Sequence, residues 1–202
     1  MTPFAHDYTL SRQQWPLACA LMTSLYFPGS CFICADHDSA LLANYARSLG
    51  LVPAVLSGGP EALKRHLLGA WESSVVFQAM LRYDQAAACL VFLDAMARCG
   101  HQAFLARLHA MPSVYMRLIE LDYTEASKPG LMRRMQKAPM DAAAVREEAD
   151  GGVRFRHAGG WAWVLPSDDR PLCRIICEGN SAELADELSV SYADWVKAVE
   201  KA

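Results

Sequence analysis

Charge is scarce in the first half of this chain. From Met1 to Met111 there are seven basic and seven acidic residues, against twelve and fifteen in the remainder. That is about half the usual charged fraction of ~25%. A small domain so poor in charge leaves apolar surface uncovered, which predicts a protein interface there. The whole chain of 202 residues carries a formal net charge of only -3, so nothing draws it to nucleic acid or to an anionic membrane. Long apolar runs are missing as well. Pro16 to Phe27 is the one candidate for a targeting segment, but it is too short to span a bilayer, follows Asp7 and lacks a small-residue cleavage site. The seven cysteines are odd in number and have no disulfide-scaffold spacing. They read as reduced thiols and place the protein in the cytoplasm. Internal repeats, low-complexity segments and long linkers are absent. So are a Gly-x-Ser-x-Gly elbow, a Walker loop and a dinucleotide fingerprint.

What is present is an alternation of short elements. Ser11 and Gln14 form a capping box for a helix carrying Trp15, Leu17, Ala18, Leu21, Met22 and Leu25, which Pro28-Gly29 stops. Cys31 to Ala35 reads as a strand, Asp38 to Gly50 as a capped helix, and Leu51 to Leu56 as a second strand that Pro53 marks as an edge. Ser57-Gly58-Gly59-Pro60 opens a helix to Leu68. Ser74 to Met80 reads as a third strand. Asp84 caps a long alanine-rich helix ended by Gly100, and a short helix covers 102–109. Met111-Pro112 is the expected domain boundary. Beyond it lie a strand over 114–123, a helix over 129–137 capped by Ser127, and a hairpin of 143–148 with 153–157 around Asp150-Gly151. Two further strands cover 161–165 and 172–178. A last capping box, Asn180 with Glu183, starts a helix running to Lys201. The predicted fold class is α/β for 1–111, a mixed sheet flanked by helices, and α+β for 112–202, an antiparallel sheet with helices on one face.

The loop between the last two strands carries a motif. Pro166, Ser167, Pro171 and Arg174 match the phosphate-binding loop of the α-D-phosphohexomutases (phosphomannomutases and phosphoglucomutases), Arg-Pro-Ser-Gly/Asn-Thr-Glu-Pro-x-x-Arg. Leu165 stands where that loop has its leading Arg, Asp168-Asp169 replaces Gly/Asn-Thr, and Arg170 replaces the Glu. Gly69, Ala70, Trp71, Glu72 and Ser73 resemble the family's sugar-binding loop, Gly-Gly-Glu-x-Ser-Gly-His, with only Gly69 and Ser73 in register. Arg82-Tyr83-Asp84 resembles the Arg-Asp-Gly that opens the family's next helix. The order of elements likewise resembles the third and fourth of the family's four domains. The resemblance implies that the phosphorylated serine and the metal-holding aspartate loop belong to the other two domains. Neither a Thr-x-Ser-His stretch nor an Asp-x-Asp-x-Asp triplet occurs in these residues.

These departures set the functional expectations. In the phosphate loop, Ser167, Arg170 and Arg174 favour an anion, whereas Asp168 and Asp169 each oppose a dianion ~5 Å away by at least about a kilocalorie, even under strong dielectric screening. In the sugar loop, Trp71 replaces the hydroxyl-binding Glu. The leading expectation is a phosphohexomutase-like chain with no catalytic residues and no cofactor, a pseudoenzyme acting as an interaction or regulatory module. Its partner is a second copy or another protein docking on the N-terminal domain, along a helix face showing Trp15, Leu21, Met22 and Leu25. A sugar-phosphate-binding half of a split mutase is the first alternative, with a phosphosugar as ligand. A metal-dependent enzyme using Asp36 and Asp38, at the carboxyl end of a strand, is the second.

Four further residue groups read as structural. Cys31 and Cys34 point to opposite faces of one strand. Cys173 and Cys177 stand ~13 Å apart along another, too far to chelate one ion. Lys128, Arg133, Arg134 and Lys137 form a solvated helix face. Trp161 and Trp163 are expected to divide between core and surface, an exposed one marking an interface.

Overall fold

The computed structural model describes the chain apart from residues 1–3, 6–7, 36–37, 58, 124–127, 138–143, 150–151, 168–169 and 201–202. It divides into two compact units, Met1–Val114 and Tyr115–Ala202. Asp36, Gly58, Ser127, Asp150, Gly151, Asp168, Asp169 and Lys201, all named from the sequence, fall outside the described residues.

In the first unit two short strands, β1 (Phe4–Ala5) and β2 (Tyr8–Thr9), pair antiparallel. Helix α1 (Trp15–Tyr26) then runs through the middle of the core, with every residue from Leu17 to Thr23 buried. A helix apolar all round is a core helix. This corrects the expected docking face: Leu21 and Met22 are 1% and 0% exposed, and Trp15 stacks on Phe92 of the unit's own core at 5.5 Å. Ahead of α1, Ser11 and Gln14 do exchange their reciprocal side-chain bonds at 3.2 and 3.1 Å.

Strand β3 (Cys31–Ala35) pairs in parallel with β4 (Val52–Leu56) across α2 (Ala40–Ser48). The cap of α2 is Ser39, whose side chain accepts from Leu41 N–H at 3.2 Å, rather than Asp38. Helix α3 (Gly59–Leu68) follows. The segment read as a third strand is instead helix α4 (Ser73–Tyr83). Its buried residues, Ser74, Val75, Gln78, Ala79 and Leu81, repeat with helical rather than two-residue period. The β-branched start of the segment had concealed that period. Only two strands of the expected sheet therefore form among the described residues of this region. Asp84 caps α5 (Gln85–Cys99) by accepting from Ala87 N–H at 3.0 Å, and Gly100, at φ 80°, turns the chain into α6 (His101–His109).

The second unit is a five-stranded antiparallel sheet ordered β5-β9-β8-β7-β6, from β5 (Tyr115–Asp122), β6 (Val145–Ala149), β7 (Gly152–His157), β8 (Gly160–Pro166) and β9 (Leu172–Gly179). Helices α7 (Lys128–Lys137) and α8 (Ala182–Glu200) complete it. The core lies between the sheet and these helices, with Phe155, Val164, Ile175, Leu131 and Tyr192 at its centre. Ser181, not Asn180, caps α8 by accepting from Leu184 N–H at 3.2 Å. The tight β7–β8 turn needs its two glycines: Gly159 has φ +86°, and a Cβ on Gly160 would lie 2.4 Å from the Glu178 carbonyl oxygen. Trp161 and Trp163 are both buried, at 9% and 0% exposure. Residues two apart share a strand face, and here Arg154 lies over both rings, 4.8 and 5.0 Å from their centroids. Glu178, itself buried, accepts from the Trp161 indole N–H at 2.7 Å.

Candidate functional site

The β8–β9 loop is held by its own backbone. Ser167 N–H donates to Leu172 C=O at 2.9 Å, Leu172 N–H to Arg170 C=O at 2.7 Å, and Tyr123 N–H to Pro171 C=O at 3.0 Å. Arg170 is exposed at its tip. Arg174, the motif cation that matches in register, sits on β9 opposite Leu165 of β8 and Glu120 of β5. Its Nε donates to Glu120 Oε1 at 2.8 Å, so its charge is matched on the sheet instead of being turned into the loop. Leu165 and Arg174, the two positions where the family loop has arginine, are thus cross-strand neighbours.

Lys128 was assigned from the sequence to a solvated helix face. At the head of α7 it reaches the loop and donates through Nζ to Ser167 C=O at 3.0 Å. No spacing rule announces a contact between residues 39 apart in sequence.

The sugar-loop positions lie in the first unit. Gly69 ends α3, donating to Arg65 C=O at 3.0 Å. Trp71 is 96% exposed. Glu72 stands at the N-cap of α4, where its Oε1 accepts from Ser74 Oγ at 2.9 Å, and Ser73 is the first helical residue. The positions that resemble a sugar-hydroxyl ligand set therefore form a helix start and an indole in solvent.

Asp38 is engaged by its own strand and by α4. Its Oδ2 accepts from Ala35 N–H at 2.8 Å and lies 3.5 Å from Arg82 Nη1, with both side chains over nine-tenths buried. Arg82 also donates to Ile33 C=O at 3.1 Å and covers the Phe32 ring at 5.6 Å. Between them Gln78, 0% exposed, accepts from Ile33 N–H and donates to Cys31 C=O, both at 2.8 Å. Along β3 the outward-facing backbone groups from Cys31 C=O to Ala35 N–H are thus met by side chains of Gln78, Arg82 and Asp38, where another strand would supply main chain. Among the described residues no three His, Cys, Asp or Glu side chains converge as a metal site.

Burial pushes the Cys19, Cys34, Cys173 and Cys177 thiols from 9.0 up to about 12. A thiol held neutral in the fold is a poor nucleophile. Because the unfolded chain ionises first, stability is intact below pH 9 and falls as pH rises from about 9 towards 12. Titration with an aromatic disulfide reagent at pH 8 should modify the half-buried Cys31, Cys89 and Cys99 and leave the other four for denaturant. Rapid native labelling of all seven cysteines would contradict this.

No protein-family model matches the chain, and no curated protein resembles it significantly in sequence. Solved structures do match. One is a phosphoglucomutase/phosphomannomutase family protein from Burkholderia thailandensis, at TM-score 0.59 and 16% identity over 93% of this chain and 41% of that one. A second is the N-acetylphosphoglucosamine mutase of Aspergillus fumigatus, at TM-score 0.53 and 12% identity over 96% of this chain and 44% of that one. A variant of the same enzyme in complex with glucose 1,6-bisphosphate gives TM-score 0.52 at 12% identity. This chain spans less than half the length of these proteins. Among the described residues no helix is long and apolar enough to cross a membrane. The chain has the fold of phosphohexomutases over a stretch equal to somewhat under half of their length.

Proposed function

We propose that this chain is a phosphohexomutase-like module without catalysis of its own, which serves in cytoplasmic carbohydrate metabolism as a binding or regulatory partner through its N-terminal unit. The engagement of Arg174 by Glu120 carries this reading. A phosphate loop needs cationic forks turned inwards and no competing carboxylate. Here the in-register arginine is paired with Glu120 on the sheet, and the loop sequence holds two aspartates. The sugar-loop positions support the same view, since the Glu72 carboxylate accepts from the Ser74 hydroxyl at the start of α4 and Trp71 stands in solvent. A catalytic metal finds no fit: Asp38 is already engaged by Ala35 N–H and Arg82, and the sequence holds no Asp-x-Asp-x-Asp loop. A sugar-phosphate-binding half that works beside another chain is the second reading, favoured by Lys128 at the loop backbone.

Calorimetry with glucose 6-phosphate separates the two. The expected result for the natural chain is no heat of binding at millimolar ligand, and no interconversion of hexose 1- and 6-phosphates in a coupled assay. Leu165→Arg with Asp168→Gly, Asp169→Thr and Glu120→Gln rebuilds the arginine pair and releases Arg174. That variant should bind with a dissociation constant of about a millimolar or better, ~4 kcal/mol. Binding by the natural chain supports the split-enzyme reading, and turnover by it would overturn both.

A further inference from the structure

The two edges of the β3–β4 pair are treated differently. On β3 the side chains of Gln78, Arg82 and Asp38 occupy the outward backbone groups. On β4 nothing does. Val52 N–H donates to Ser30 C=O at 3.0 Å, which sets the alternation of a parallel ladder: Val52, Ala54 and Leu56 turn their backbone groups to β3, and Pro53 and Val55 turn theirs away. Among the described residues no hydrogen bond engages Pro53 C=O or the N–H and C=O of Val55. From Leu51 to Ser57 no charged residue guards the edge, and Val52 and Val55 are 61% and 63% exposed. Of the devices natural edges use against pairing, this one carries Pro53 and no charge.

We infer that β4 is a dimerisation edge, pairing antiparallel with β4 of a second copy about a two-fold axis at Val55. The pattern is self-complementary. At the axis the two Val55 residues exchange both N–H···O=C bonds, as a hydrogen-bonded antiparallel pair requires. Two residues out, Ser57 N–H of each copy meets Pro53 C=O of the other. The bond Pro53 cannot make is the return bond of that pair, so the proline lowers the count of bonds without blocking the register. A shift by one residue turns bonding groups away and loses the ladder. The product is a four-stranded sheet, β3-β4-β4-β3, within the ordinary range of about four to six strands. Helices α2 and α3 both pack on β4. Their counterparts would approach across the axis and add to the burial of roughly 1,200 Å² that a stable dimer needs. Association at this edge presupposes the binding-module reading and names its partner as another copy of the chain. It is read out by mass, whereas that reading is tested by ligand and turnover, so the two fail separately.

Light scattering and sedimentation of the full chain at micromolar concentration should give the mass of two chains. Val55→Lys and Val55→Glu each set like charges opposite one another at the axis, and each alone should sediment as a monomer. Their melting should match the unpaired natural chain, because Val55 is exposed and its backbone takes no part in the β3 ladder. Mixing the two variants should restore the dimer, since lysine then faces glutamate. A monomeric natural chain, a Val55→Lys variant that remains dimeric, or a mixture that fails to associate would each overturn the proposal.

Discussion

Gln78→Met is expected to lower the unfolding free energy by about 3 kcal/mol and the melting temperature by on the order of 10 °C. Methionine keeps the length and volume of glutamine, so packing changes little. What disappears is a side-chain amide standing in for a strand. Ile33 N–H loses its acceptor and Cys31 C=O its donor, both at a side chain that is 0% exposed. A buried main-chain group left without a partner costs about 1–3 kcal/mol, so two such groups outweigh any gain in hydrophobicity. Urea titration followed by circular dichroism reads the effect, with Phe77→Leu as a packing control on the same helix. A loss below about 1 kcal/mol would mean that water or a shifted α4 replaces the amide, and that Gln78 does not seal β3.

Phe155→Ala should cost about 3–5 kcal/mol and unfold the second unit well below the natural melting point. Phe155 is 0% exposed, with Tyr192 and Trp195 against its ring at centroid distances of 5.2 and 5.8 Å. Its removal leaves a cavity between the sheet and α8 that neither a rigid strand nor a long helix can close. Tyr192→Phe gives the comparison. It keeps the ring and removes only the hydroxyl that lies 2.8 Å from His157 Nε2, a hydrogen bond expected to be worth about 1 kcal/mol. Tryptophan fluorescence during denaturation measures both. Equal losses for the two variants would show that the hydrogen bond, not the packed ring, anchors this core.

Much of the architecture was legible in the sequence because it rests on short-range periods and local chemistry. The alanine-rich repeat of α5, its Asp84 cap and its Gly100 stop, and the Ser11–Gln14 box all depend on residues within one turn of each other. The β-rich runs around Pro166 and Pro171 pair as the sequence suggested, and the loop motif pointed to a phosphohexomutase-like fold that solved structures share. Two misreadings were local as well. Trp161 and Trp163 share a face by strand geometry alone, and the helical spacing of Ser74, Gln78 and Leu81 was already in the sequence.

What the tertiary structure decided is which partner each polar side chain found. Gln78 meets a strand 45 residues earlier, Lys128 a loop 39 residues later, and Arg174 a carboxylate 54 residues earlier. Nothing in the spacing of these residues distinguishes an arginine that holds phosphate from one that pairs with a glutamate on the neighbouring strand. Periodicity is a property of consecutive residues and can be read from them. A hydrogen bond across the fold depends on the register between strands, which burial sets for the whole sheet at once.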